Sequence, residues 1–369
     1  MDNCTAKFIC EYPFVEGSDK DILLIYVQVY FWISVSLCIV AGVGILGNIL
    51  NICVFLSKEL RTTFHVFLVI LAIFDVGFLL LTLLTAILQI HDITSQGTTY
   101  PDPIWNPNEV WIRLYPHFIR PFKYIFLTAS ELFTVIISVD RYIAIKHPFR
   151  YHLFWGTDKF QDTVCDLSEL NKGVKKERIR ISLVDWRRVT MYSLPTFLFS
   201  VCYCIPVFFE YKLVEKNATI TLKESEMYGK LYGLIYYIIL DGICRFLAPV
   251  GILLYTNIRI YRIAQKQRET YKEDYAFHRK AQNVMLFGVV VLLTITHSYR
   301  FGGNMYSTIC YNIYGEQYVD CCGLNINNEI SFAVLQVLWT INSSANCFIY
   351  LVASRKFRDT VMKKWTCWR

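Results

Sequence analysis

An apolar run between Ser130 and Arg150 ends in three adjacent side chains that can form an ion pair and a hydrogen bond, Asp140-Arg141-Tyr142. Burying an ion pair at the edge of a bilayer costs several kcal/mol unless each charge is satisfied, so charges held there are functional by default. One reading is a switch: Asp140 holds Arg141 in a closed state, and release of the arginine exposes donors to a partner on the cytoplasmic side. The other is a helix-end cluster snorkelling to the interface.

More polar groups sit inside apolar runs. Asn48 follows Gly42, Gly44 and Gly47, small residues that permit close helix contact, and a lone amide in hydrocarbon needs a partner. Asp75 lies near the middle of the second run. It reads either as a protonated carboxyl satisfied by a neighbouring helix or as a sodium or proton site shared with the seventh. That seventh run carries Asn342, Ser343, Ser344 and Asn346, which cannot face lipid and need Asp75, Asn48 and buried water as partners. Lys123, Glu131, Asp241, Arg245 and Arg300 are also embedded, with Tyr124, Tyr236, Tyr237 and Tyr299 near them. Asp241 and Arg245 are four apart and share a helical face, so they can simply pair with each other. Glu131 reads as an internal partner of Arg245 or Arg300.

The elements that must position these groups are membrane helices. Of 369 residues, 54% are hydrophobic and 18% charged, where soluble domains carry about a quarter charged. Runs long enough to span a bilayer, about 20 residues each, fall at 25–56, 63–90, 116–146, 187–209, 231–263, 281–309 and 329–353. The expected fold is all-α, a seven-helix bundle over 25–353. An outside N-terminus occupies 1–24, and an amphipathic eighth helix with the tail occupies 354–369. In that last segment Phe357, Val361 and Trp365 recur every four residues among basic side chains, as in a helix lying on the inner leaflet. Cys367 next to the membrane is either acylated or unmodified.

The formal charge is +7, but its placement argues against nucleic acid. Alternate polar segments (58–61, 146–188, 259–280 and 355–369) hold 25 of the 37 Lys and Arg, and the intervening ones (1–24, 91–115, 210–230 and 311–328) hold 7. The positive-inside rule makes the first set cytoplasmic. No apolar run precedes the first span, which is expected to serve as the insertion signal. The sequons at Asn3 and Asn217 both fall outside and are expected to be glycosylated. Cys4, Cys10, Cys310, Cys321 and Cys322 fall at the same side, where disulfides are permitted, with pairing open.

Gly47-Asn48, Leu71-Ala72 with Asp75, Asp140-Arg141-Tyr142, Pro249, Asn346 with Tyr350, and the amphipathic eighth helix occur in order at matching helix ends. Together they resemble the rhodopsin-like (class A) G-protein-coupled receptors across nearly the whole chain. Leu114-Tyr115-Pro116, Ile205–Tyr211, Met285–Val290 and His297-Ser298-Tyr299-Arg300 are similar to strings in invertebrate FMRFamide-type neuropeptide receptors. The resemblance implies a multi-pass plasma-membrane receptor, not an enzyme, that activates a heterotrimeric G protein through Asp140, Arg141 and Tyr142, with Asn346 and Tyr350 in the activation machinery. It implies a sodium ion near Asp75, in a polar network with Asn48, Asn342 and Asn346. This chain departs from the family where a helix-3 cysteine and a second outside loop are usually bridged: Pro116 stands at that position and 210–230 contains no cysteine. Cys347 replaces the proline of the seventh-helix motif, removing a kink, and Thr296-His297-Ser298-Tyr299 replaces the sixth-helix toggle.

Lys123 stands where amine receptors place a carboxylate, which disfavours a small cationic ligand, and 329–353 lacks the lysine retinal requires. The expected ligand is an extracellular peptide with an amidated Arg-Phe end. Its arginine would pair with Asp241 and its carbonyl would meet Arg300 and Lys123, against Tyr124, Tyr237, Arg245 and Tyr299. Acidic outside segments suit a cationic peptide, and the basic inner loops suit anionic lipid and a G protein. A relative that no longer signals, or one with a non-peptide ligand, is the alternative. An intramembrane protease would need glycine motifs that do not flank Asp75 or Asp241, and a transporter would show internal repeats.

Overall fold

The computed structural model describes residues 18–57, 60, 62–95, 113–149, 151, 185–216, 219–225, 230–270, 288, 290–306 and 322–367. Asn3, Asn217, Cys4, Cys10, Cys310 and Cys321 lie outside them.

The helices are α1 (Ser18–Phe55), α2 (Thr63–Ser95), α3 (Tyr115–Lys146), α4 (Trp186–Cys204), α5 (ending in Ala248–Thr270), α6 (290–306), α7 (Cys322–Ala353) and α8 (Arg355–Cys367). Six carry segments long and apolar enough to cross a membrane: Val27–Phe55, Thr63–His91, Tyr115–Lys146, Trp186–Phe209, Gly233–Ile263 and Ile330–Val352. The described part of α6, 290–306, is shorter than any of these, and it supplies the seventh rod of an all-α bundle. Apolar side chains such as Trp32, Leu46, Leu80, Leu198, Ile243 and Ile295 point outward. In water such a surface would be untenable; in a bilayer it is the solvated face.

Small residues set the spacing where α1 meets α7. A Cβ on Gly47 would stand 2.9 Å from Cys347 Cβ, and one on Gly44 would run into Ser344 and come within 2.9 Å of Leu79. Backbones can approach this closely only without side chains. At the end carrying Asp140, Val54, Phe67, Phe74, Phe133, Ile137, Val189, Tyr350 and Phe357 share one buried cluster. Phe357 docks there from α8, against Phe55 and Tyr350 at 5.2 and 6.0 Å between ring centroids, with Val361 packed against the same cluster.

Two local departures from α geometry matter. α3 opens with a π turn, Tyr115–Ile119, and α5 contains two π stretches, Gly233–Leu240 and Gly242–Leu247, on either side of Asp241. Such wide turns are rare and concentrate at functional positions. Between α4 and α5 the antiparallel strands β1 (Tyr211–Lys216) and β2 (Thr219–Glu224) form a hairpin, in register from Tyr211 opposite Glu224 to Lys216 opposite Thr219.

Candidate functional site

The embedded charges of α3, α5 and α6 form one network. Arg245 donates through Nε and Nη2 to Glu131 Oε2 at 2.9 and 2.7 Å. Arg300 Nη2 reaches Asp241 Oδ1 at 2.6 Å, while Arg245 Nη1 is 3.9 Å from the same oxygen. Glu131 is therefore an internal partner of Arg245. Asp241 is held chiefly by Arg300 of α6 rather than by its own helical neighbour. Tyr203 donates to Asp241 Oδ1 at 3.0 Å, Asn304 donates to Oδ2 at 3.3 Å, and His297 Nε2 stands 3.6 Å from Glu131 Oε1. All five core members, His297 among them, are buried. An unpaired charge in such a place costs several kcal/mol, which explains why each carboxylate meets a guanidinium.

Lys123 lies apart from that knot, donating to Gln336 Oε1 of α7 at 2.8 Å. The Arg300 guanidinium lies 5.4 Å from the Trp339 ring and 6.0 Å from Tyr124, whose ring meets Trp339 edge-on at 5.9 Å. Arg300 Nη1 and Trp339 Nε1 are buried donors with no acceptor among the described residues. Tyr237 turns its hydroxyl to Glu210 at 2.6 Å, and Tyr299 lies on the outer side of α6, 39% exposed. The structure thus brings Tyr124, Asp241, Arg245 and Arg300 together, leaves Lys123 apart on Gln336, and points Tyr299 away.

The middle of the bundle holds the second polar group. Asp75 accepts from Ser130 Oγ at 2.6 Å and from Asn346 Nδ2 at 2.7 Å. Asn48 Nδ2 donates to the carbonyls of Gly44 and Ser343, both at 3.0 Å. Asn48 therefore ties α1 to α7 through backbone and not through Asp75, and half-buried Asn342 makes none of these bonds. The oxygens of Asp75, Ser130 and Asn346 are the hard donors that a small cation favours.

At the far end of α3, the sequence allows either Asp140 holding Arg141 or a helix-end cluster snorkelling to the interface. The structure assigns Asp140 to other partners: Arg188 of α4 and the Tyr151 hydroxyl, the latter at 3.2 Å. Arg141 instead lies over the Phe64 ring of α2, 3.0 Å from its centroid. The reason is local. Asp185 caps α4 by accepting from the Arg188 amide at 3.2 Å and anchors its own amide on Thr63 Oγ1 at 3.1 Å, and this places Arg188 one turn in, against α3. Tyr142 packs edge-on against Tyr255 of α5 at 5.9 Å, and Tyr350 is buried against Phe55 at 5.2 Å. In the sequence Arg188 reads as one more basic residue of the 146–188 segment. Its nearness to Trp186, where α4 begins, was the available signal.

One α3 rod thus carries Lys123 and Glu131 into one half of the bundle and Asp140-Arg141 into the other. Glu131 and Asp140 are nine residues, roughly 13 Å, apart along the axis. The family model described as 7 transmembrane receptor (rhodopsin family) matches residues 47–160, which include α2 and α3 whole. Over 350 residues the chain is 25% identical to the FMRFamide receptor of Drosophila melanogaster, covering 90% of this chain and 53% of that protein. It is 22% identical over 341 residues to a probable G-protein coupled receptor of Caenorhabditis elegans (89% and 68%), and 27% identical over 339 residues to the histamine H2 receptor of Rattus norvegicus (91% and 79%). The chain spans about half the length of the fly relative. The chain thus resembles the rhodopsin family of seven-transmembrane receptors over residues 47–160, and its six helices long and apolar enough to cross a membrane make it a multi-pass membrane protein.

Proposed function

We propose that this chain is a G-protein-coupled receptor for an extracellular peptide, and that contact at the Asp241–Arg300 end of the bundle is converted into opening at the Arg141 end. The observation that carries the reading is the buried network shared by α3, α5 and α6, because a ligand that competes for any one member forces the others to re-pair. Buried groups of this kind have discrete partners, so the helices that bear them have discrete arrangements.

The finer proposal is a peptide with an amidated Arg-Phe end. Its guanidinium would exchange with Arg300 at Asp241. Its terminal carbonyl would accept from the freed Arg300 and from Trp339 Nε1, with Tyr124 and Trp339 as aromatic walls. The Drosophila relative is named for such a peptide. The histamine H2 relatives raise a cationic amine as a rival, but Lys123 and two donors with no acceptor among the described residues make this end of the bundle better suited to a carbonyl than to an ammonium. On the inner side Arg141, Tyr142 and Tyr350 would meet the α-subunit of a heterotrimeric G protein. Phe357 and Val361 of α8 would rest against the bundle while its lysines meet anionic lipid. At Asp75 the oxygen set would take a sodium ion.

The test is an agonist-dependent G-protein dissociation assay against a panel of amidated peptides. The wild-type receptor should respond to Arg-Phe-amide peptides. Asp241→Asn should lose that response at equal surface level, whereas unchanged potency removes Asp241 from the site. A response to histamine and to no peptide overturns the ligand class.

A further inference from the structure

The hairpin β1–β2 leaves α4 through Glu210, a residue with no exposed surface. Its carboxylate is surrounded by donors from two other helices. Arg120, at the outer end of α3, pairs with Oε2. Tyr232 and Tyr237 at the top of α5 donate to Oε1 at 2.7 and 2.6 Å. Arg120 also reaches the Tyr237 hydroxyl at 3.4 Å, and its guanidinium lies 4.8 Å from the Tyr211 ring and 5.6 Å from Tyr124. The backbone of Glu210 acts too: its carbonyl accepts from the Ser225 amide at 2.8 Å, just past the end of β2, and closes the hairpin at its base.

One residue therefore shuts the hairpin and fastens it to α3 and α5. Sulfur is not available for this task, because neither 113–124 nor 210–230 contains a cysteine. A charged pair inside a low-dielectric setting, completed by two phenol donors, is directional and strong, and removing one partner strands the other. Tyr124 belongs at once to this cluster and to the surroundings of Arg300, and the Tyr237 carbonyl accepts from Asn304, which also donates to Asp241, so the position of the hairpin and the shape of the outer half of the bundle are set together.

We propose that Arg120 and Glu210 form a non-covalent clamp that fixes the hairpin as the roof of the outer vestibule, with Glu210 as the positioning residue. The clamp does not depend on the ligand proposed above. It predicts that hairpin placement withstands thiol reductants and fails on loss of either charge.

The experiment uses the full-length receptor in lipid nanodiscs, with hydrogen exchange read over 211–224 and, as an internal reference, over the Asp140 end of α3. In the wild type, dithiothreitol should leave exchange over 211–224 unchanged. Glu210→Gln and Arg120→Gln should each accelerate it about tenfold or more, as expected when a local unit loses its fastening, while the reference stays put. The double variant should be no worse than either single one, and Arg120→Lys should keep most of the protection. If the single variants do not reach the cell surface, the same four-way comparison is read on surface level. Additive losses, an unchanged hairpin in Glu210→Gln, or loosening by reductant in the wild type would each overturn the clamp.

Discussion

Glu131→Gln isolates what the buried network contributes. Both short hydrogen bonds from Arg245 end on one oxygen of Glu131, and the next nearest carboxylate oxygen, on Asp241, stands at 3.9 Å and is already held by Arg300 at 2.6 Å. Glutamine keeps an acceptor but no charge, so Arg245 is left as a buried cation with a distant, shared partner. Removing one member of a buried pair costs about 3–5 kcal/mol. The surviving amide acceptor puts this case near the lower end, about 3 kcal/mol, which is more than a hundredfold in the folded-to-unfolded ratio. The measurement is the denaturant midpoint of the detergent-solubilised receptor at constant slope. The paired variant Glu131→Gln/Arg245→Gln decides what the number means. Once both charges are gone, no ion is stranded, and stability should return to within about 1 kcal/mol of wild type. A single variant costing under about 1 kcal/mol, or a double variant as damaged as the two losses added, would refute the idea that the charges act as one unit.

Further outcomes follow from the same geometry. Arg188→Met removes the main partner of Asp140 and leaves the Tyr151 hydroxyl; if the Asp140–Arg188 pair holds this end of the bundle closed, then, since a hydrogen bond to a charged group is worth about 1.5–3 kcal/mol, basal nucleotide exchange on the G protein should rise about tenfold or more, and unchanged exchange at equal surface level refutes that role. Arg141→Ala should suppress agonist-driven exchange with ligand binding retained, checked by radioligand and exchange assays on the same membranes. Gly47→Ala pushes a methyl against Cys347 at 2.9 Å and should cost about 1–3 kcal/mol of stability by overpacking, read as the same denaturant midpoint, whereas Gly42→Ala, with open space at that position, should be neutral.

The division between what the sequence revealed and what it hid has a physical basis. Runs of apolar residues interrupted by single polar ones are read directly, because hydrocarbon tolerates a polar side chain only inside the bundle. That constraint was enough to single out Asn48, Asp75, Glu131, Asp241, Arg245 and Arg300 and to place them facing inward. It says nothing about pairing. Asp241 and Arg245 are four residues apart, yet the shorter contact of Asp241 runs to Arg300 from another helix, because π stretches on both sides of Asp241 alter the face it presents. Asp140 and Arg141 are adjacent, and adjacency misleads on a helix: consecutive side chains diverge around the axis, so the two reach different neighbours, Arg188 on α4 and Phe64 on α2. Arg188, Arg120 and Glu210 escaped notice because they lie at span ends, where charge is cheap and carries no signal in the sequence. They became informative only once α4 was capped at Asp185 and the hairpin closed on Glu210, events that depend on segments far apart in the chain. The residues proposed to act at the two ends of α3 are thus drawn from both classes. The embedded charges can be listed without a structure, and the rim charges, which pair with Asp140 or with each other, cannot. A substitution at Arg188 should therefore matter as much to signalling as one at Arg141, although the sequence motif names only the second.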